Sequence, residues 1–283
     1  MHNIIQNRTN GNYGFDPVKN LYFENYINDL SGYNLIFGVD GYRSGVMRDG
    51  YKNVIIDFEE PNFVENIRNL QFSDRLHKKL TLCPYSAEIY NKLSGTNQAE
   101  ACFFPVDHEY IKSNLGDPTF DKPNDVLYIG GNHSPLTSDF LHLSYKPSMP
   151  GYLDKFSSLY STKISICHNV LFYHNVLYLY NNLIGLFPEH ENGKLELPQL
   201  KSRIFESGFS RCIPLVYFHK SRVVERYFTP DVDFIYFNDT IELKEIINRI
   251  LSDYDNYKHI AESAYKKCME NYKLSDFIHR YLQ

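Results

Sequence analysis

Tryptophan is absent from the 283 residues, and no apolar run approaches the roughly 18 residues that a membrane-spanning helix requires. Basic charge is not in excess either. Against 34 Asp and Glu stand 29 Lys and Arg, a net charge of −5 that gives no basis for nucleic-acid binding driven by counterion release. The five cysteines, Cys83, Cys102, Cys167, Cys212 and Cys268, are odd in number, scattered and mostly set in apolar runs. That pattern argues against a disulfide framework or a metal knot and for reduced core thiols in a cytoplasmic protein. No apolar segment of signal-peptide type opens the chain, so no leader is expected. What the chain does hold is 24 Tyr and 20 Phe within a 43% hydrophobic composition, enough apolar material for a substantial core. A biased codon supply accounts for this aromatic excess as well as stacking against sugars does.

Short apolar strands alternate with helical segments, the sequence mark of parallel sheets with crossover helices. Strands are predicted at Asn34–Gly38, Asn53–Asp57, Leu80–Cys83 and Ala101–Phe104, and helices at Pro17–Leu30, Phe63–Leu70 and Ser86–Leu93. Turn formers crowd Asn114–Asn124, the best linker candidate. Strands return at Val126–Gly130, Lys163–Cys167, Ile213–Val216 and Asp233–Tyr236, with helices at Leu200–Phe209, Thr240–Asp253 and Tyr254–Asn271. The expected fold class is α/β, with two Rossmann-like doubly wound domains facing across a cleft. Residues 1–120 are expected to form one domain and 121–283 the other, the last helix being a candidate to pack back on the first. Ligands are expected at the carboxyl ends of the strands.

The segment Leu197 to Tyr217 concentrates chemistry. Pro198 suits a first helical turn, where a missing N–H costs nothing, and Leu200, Ile204 and Phe205 recur on one apolar face. Gly208, with the small Ser207 and Ser210, lets the helix end approach a neighbour closely. The run Ile213 to Phe218 suits a parallel strand buried on both faces. Lys201 and Arg203 add positive charge near the positive end of the helix dipole, which costs stability unless an anion sits there; a phosphate-bearing ligand is therefore favoured. Glu206 can salt-bridge Arg203 at i,i+3 or accept hydrogen bonds from vicinal hydroxyls such as those of a ribose. A solvated, salt-bridged surface helix fits the same three residues.

Lys201-Ser-Arg-Ile-Phe-Glu206, the small-residue helix end, Ile213-Pro-Leu-Val216 and the stretch Glu225 to Phe237 together resemble the C-terminal half of GT-B glycosyltransferases. The likeness is nearest to the spore-maturation (CgeB-like) group, and it covers the last third of the chain better than the rest. The resemblance implies a glycosyltransferase that uses a nucleotide-diphosphate sugar as donor, with no required cofactor, and makes 1–120 the acceptor-side domain and 121–283 the nucleotide-sugar-binding domain. Lys201 and Arg203 would then neutralise the departing diphosphate and Glu206 would bind the ribose. In related retaining enzymes a second, earlier glutamate faces the sugar; Pro198 stands at its place here, and the resemblance passes that role to the preceding loop.

Other candidates lie at predicted strand ends. Gly130 and Gly131 permit close backbone approach to a phosphate, with Asn132 and His133 beside them, although a plain tight turn fits the same residues. His168 and Asn169 can contact base or sugar, or simply close a turn. The loop His190, Glu191, Asn192 and Gly193 can fold over a sugar, or form a solvated acidic loop. On the acceptor side, Asp40 is the acid/base candidate, with Asp57, Glu59 and Glu60 as alternatives at another strand end or as helix caps. Asp107 to Glu109 reads as architecture near the hinge. Asp231 and Asp233 mimic a metal-binding pair, but they sit where an ordinary turn belongs, so no metal is expected. A glycan or other hydroxyl acceptor is the expected partner, and no membrane span is. A noncatalytic binding module of the same fold is the alternative, followed by a nucleic-acid-modifying transferase with a basic cleft at Arg43, Arg48 and Lys52.

Overall fold

The computed structural model describes residues 32–37, 47–58, 75–82, 84–129, 145–146, 152–173, 195–198 and 200–283. The predicted helices Pro17–Leu30 and Phe63–Leu70 lie outside these residues. Strands β1 (Tyr33–Phe37), β2 (Lys52–Asp57), β3 (Leu76–Thr81) and β4 (Ala99–Ala101) form a parallel sheet in that order. Val54, Ile55 and Ile56 of β2 are all buried, because both faces of the sheet are covered. That is why the strand reads as an unbroken β-branched run rather than an alternation. Helix α1 (Pro84–Ser94) covers one face, packing Ala87 and Tyr90 on Ile36, Ile55 and Ala99.

The chain leaves this sheet earlier than predicted. β4 ends at Ala101, and Cys102, Phe103 and Phe104 are buried side chains outside the strand. A short apolar run buried on all sides has no period to separate strand from buried loop. Phe103 lies 6.5 Å from the ring of Phe205 and 5.7 Å from that of Phe277, so one core joins residues from both ends of the chain. Asp107 then caps helix α2 (His108–Leu115) by accepting from the Tyr110 amide at 3.1 Å.

The second sheet is also parallel. Its strands β5 (Asn124–Ile129), β6 (Tyr145–Lys146), β7 (Thr162–Cys167), β10 (Ile213–Tyr217) and β11 (Ile235–Phe237) run in the order β11-β10-β7-β5-β6. An antiparallel pair of strands, β8 (Val170–Tyr173) with β9 (Leu195–Pro198), interrupts the series. Helices α3 (Tyr152–Tyr160), α4 (Arg203–Phe209), α5 (Thr240–Ser252), α6 (Tyr254–Asn271) and α7 (Leu274–Tyr281) complete the order. Pro198 therefore closes a strand, paired with Val170, instead of opening a helix; a proline is tolerated at such an end because the ladder needs no further donor from it. The helix begins at Arg203, so Leu200 and Lys201 precede it.

The segment between α2 and β5 is held by a buried cation. Lys122 Nζ donates to the carbonyls of Leu159 (3.3 Å), Tyr160 (2.9 Å) and Ser210 (2.9 Å), at the ends of α3 and α4 where helix carbonyls have no intrahelical donor. Gly208 meets α6 so closely that a Cβ there would lie 2.5 Å from Cys268 Sγ and 3.3 Å from the Ala264 carbonyl oxygen. At the far end, α7 touches the first half: Leu274 N–H donates to Val106 O at 3.0 Å, and Lys78 Nζ to Tyr281 O at 3.2 Å.

Candidate functional site

Three segments bring polar side chains to the carboxyl edge of the second sheet. Tyr128 comes from the end of β5, His168 and Asn169 follow β7, and Arg203 and Glu206 sit on α4. The backbone approaching α4 is tied to this edge, since the Lys201 N–H donates to Asn169 Oδ1 at 2.8 Å.

Arg203 is buried at 9% exposure, with its Cζ 5.1 Å from the centroid of the Tyr128 ring. Its Nε and Nη1 find no hydrogen-bond acceptor among the described residues, and neither does Nδ2 of the buried Asn169. Buried donors of this kind are expensive unless something accepts from them, and a guanidinium is most demanding of all. Lys201 adds a second cation at the same edge.

Glu206 has a different partner from the one its spacing suggests. Its side chain is 1% exposed, and Lys155 Nζ from α3 lies 2.7 Å from Oε1 and 2.6 Å from Oε2. Arg203 does not pair with it: the guanidinium turns toward Tyr128 instead. Lys155 escaped the sequence analysis because it lies 51 positions away from Glu206 on a helix that was not predicted. Only the 3.6-residue spacing of Tyr152, Phe156 and Leu159, all buried, signalled that helix.

His168 has both ring nitrogens engaged. Nδ1 lies 3.3 Å from the Val170 carbonyl oxygen and Nε2 2.7 Å from the Tyr128 hydroxyl. A carbonyl only accepts, so Nδ1 carries the hydrogen and the Tyr128 hydroxyl donates to Nε2. Burial, reinforced by the charges of Lys201 and Arg203, holds the imidazole well below the ordinary histidine value, hence neutral. Cys167, directly before it, is a buried thiol pushed up to about 11 by burial, which leaves it protonated and unreactive.

The remaining candidates divide cleanly. Gly130, Gly131, Asn132, His133, His190, Glu191, Asn192, Gly193 and Asp40, with Glu59 and Glu60, lie outside the described residues. Asp57 is buried and ion-paired to Lys79 at 3.2 Å, within the first sheet's core. Asp233 is an internal anchor in the turn after Thr229, accepting from Thr229 N (2.7 Å), Ser263 Oγ (2.7 Å) and Lys267 Nζ (2.8 Å). Among the described residues no group of three or more His, Cys, Asp or Glu is gathered in a way that could hold a metal ion. Nor, among them, is any helix long and apolar enough to cross a membrane.

No protein-family model matches the chain, and no curated protein does. Solved structures do. A mutant of S. aureus TarM, in complex with fondaparinux, alpha-GlcNAc-glycerol and UDP, aligns at a TM-score of 0.57 and 8% identity, over 92% of this chain and 57% of that one. An alpha-glucosyltransferase in complex with UDP-glucose and abasic-site DNA aligns at 0.56 and 8% identity, over 94% and 83%. Sucrose-phosphate synthase from Thermosynechococcus elongatus aligns at 0.51 and 10% identity, over 91% and 74%. The fold is that of GT-B glycosyltransferases, an α/β architecture with two parallel sheets.

Proposed function

We propose that the protein is a nucleotide-sugar glycosyltransferase. The observation that carries this reading is the buried Arg203 guanidinium, whose Nε and Nη1 lack an acceptor among the described residues at the carboxyl edge of a parallel sheet. Ligands of open α/β sheets bind at that edge, and an anion is what such a group requires. The GT-B neighbours, two of them solved with UDP or UDP-glucose, support a nucleoside diphosphate as that anion.

In the proposed reaction an acceptor hydroxyl oxygen bonds to the anomeric carbon as the bond from that carbon to the diphosphate breaks. Arg203 and Lys201 stabilise the negative charge that accumulates on the leaving diphosphate, the kind of preorganised electrostatic help that commonly dominates such catalysis. Asp40 takes the acceptor's proton. Gly130, Gly131, Asn132 and His133, together with Asn169 and the loop His190 to Gly193, complete the donor site, and Glu206 binds the ribose once Lys155 gives way. We further assign the chain to the spore-maturation group, working in the cytoplasm without a divalent metal on a glycan or other hydroxyl acceptor.

A second reading, a noncatalytic binding module, is favoured by the closure of Lys155 over both oxygens of Glu206. A thermal-shift screen against nucleoside diphosphates and their sugars tests both, because a ligand that binds the native state raises its melting temperature by mass action. Stabilisation by UDP with slow hydrolysis of the sugar donor supports the enzyme. Stabilisation without turnover over a broad acceptor panel supports the module, and no stabilisation by any member of the panel removes both. Loss of activity on chelation, restored by Mg²⁺ or Mn²⁺, would overturn metal independence.

A further inference from the structure

Among the described residues nothing accepts a hydrogen bond from Arg203 Nε or Nη1; its guanidinium lies against the Tyr128 ring, 5.1 Å from Cζ to centroid. That ring is itself fixed from behind. It is fully buried, its hydroxyl donates to His168 Nε2 at 2.7 Å, and the two rings lie nearly parallel, 28° apart with centroids 5.8 Å from one another. His168 is in turn locked by the Val170 carbonyl, which selects the tautomer able to accept from the phenol. A phenol that donates to a neutral base gains electron density on its oxygen and ring, which deepens its attraction for a cation on its face. Thus β5, the turn after β7 and α4 each supply one member of a stack ending in N–H groups that have no acceptor among the described residues.

We propose that Tyr128, backed by His168, is the positioning residue for Arg203, aiming the guanidinium's Nε and Nη1 hydrogens at the diphosphate without touching the ligand itself. The proposal rests on the reading above, in which Arg203 meets a nucleoside diphosphate. Its force comes from the geometry: a long, flexible side chain binds an anion tightly only when its orientation is set beforehand, and here an aromatic face sets it.

The test is a double-mutant cycle on UDP affinity, measured by calorimetry well below the melting temperature of each variant. R203A is expected to weaken UDP binding about a hundredfold and Y128L about tenfold. The double variant should bind no more weakly than R203A alone, because Tyr128 acts through the guanidinium. Y128F, which keeps the ring, should recover most of the loss seen in Y128L. Losses that add in the double variant, or a Y128L protein with undiminished affinity, would overturn the proposal, since core packing alone predicts one or the other. If Y128L does not fold, Y128F and H168F carry the cycle: removal of the hydrogen bond must weaken UDP binding in the wild-type background and leave it unchanged beside R203A, and equal losses in both backgrounds refute the idea. The two levels separate. A wild-type protein that binds neither UDP nor pyrophosphate removes the functional reading and this one together, whereas UDP binding sensitive to R203A but additive with Y128L removes only the positioning role.

Discussion

Glu206 and Lys155 illustrate how a single residue's chemistry changes with its partner. A carboxylate at 1% exposure is tolerable because Lys155 reaches both of its oxygens; without that cation it would be a buried, uncompensated charge. Lys155→Met is therefore expected to lower stability by about 2–3 kcal/mol, less than for a fully enclosed pair because the lysine is partly exposed. Adding Glu206→Gln should return part of that loss, and urea unfolding midpoints of the two single variants and the double variant read it out. Asp233 gives a pH-dependent case. Burial acts to raise its pKa, but the hydrogen bonds from Lys267, Ser263 and Thr229 outweigh it and hold the carboxyl below its usual 3.8. A depressed acid contributes stability that is fully present above the ordinary value and lost as pH falls through the lower folded value. Acid titration of the melting temperature should thus show a steeper fall below about pH 4 in the wild type than in Asp233→Asn.

At the scale of elements, α4 is the hinge of the site, since it carries Arg203 and Glu206 while its far end presses on α6. All seven of its residues are buried, which no exposed amphipathic helix would show. Gly208 is required there by space, not by backbone conformation. Gly208→Ala places a methyl 2.5 Å from Cys268 Sγ, and the shift it forces is expected to cost about 1–3 kcal/mol. Combining it with Cys268→Ala removes the hardest contact, leaving the 3.3 Å approach to the Ala264 carbonyl, so the double variant should be more stable than the sum of the single losses predicts. Denaturant midpoints again decide it. Helix α4 also shows what was legible in sequence at this scale. Its small-residue end and apolar face were readable, but its start was misplaced, because a proline fits a strand end as well as a first helical turn.

Over the whole molecule the unexpected feature is a continuous aromatic core in which Phe103 from the first half meets Phe205, Tyr272, Phe277 and Tyr281 from the second. Its rings contact mostly edge-on or tilted, the arrangement their quadrupoles prefer. Phe103→Ala should cost about 3–5 kcal/mol. Far-UV and near-UV circular dichroism should report one coincident unfolding transition in the wild type, because neither half owns that core alone.

The alternation of apolar strands with helical segments determined, without any tertiary information, that this chain forms parallel sheets. Only strands buried on both faces read as unbroken runs such as Val54 to Ile56, and local pattern suffices to show it. Lys201, Arg203 and Glu206 were likewise visible as a charged cluster before a buried strand. What they contact was decided by the tertiary structure alone. Glu206 pairs with Lys155, Arg203 stacks on Tyr128, and His168 donates and accepts behind that ring. These partners are separated by tens of residues and come together only where parallel crossovers place consecutive strand ends side by side. Periodicity carries information about faces over a few turns, whereas long-range pairing depends on how the crossovers stack the strand ends.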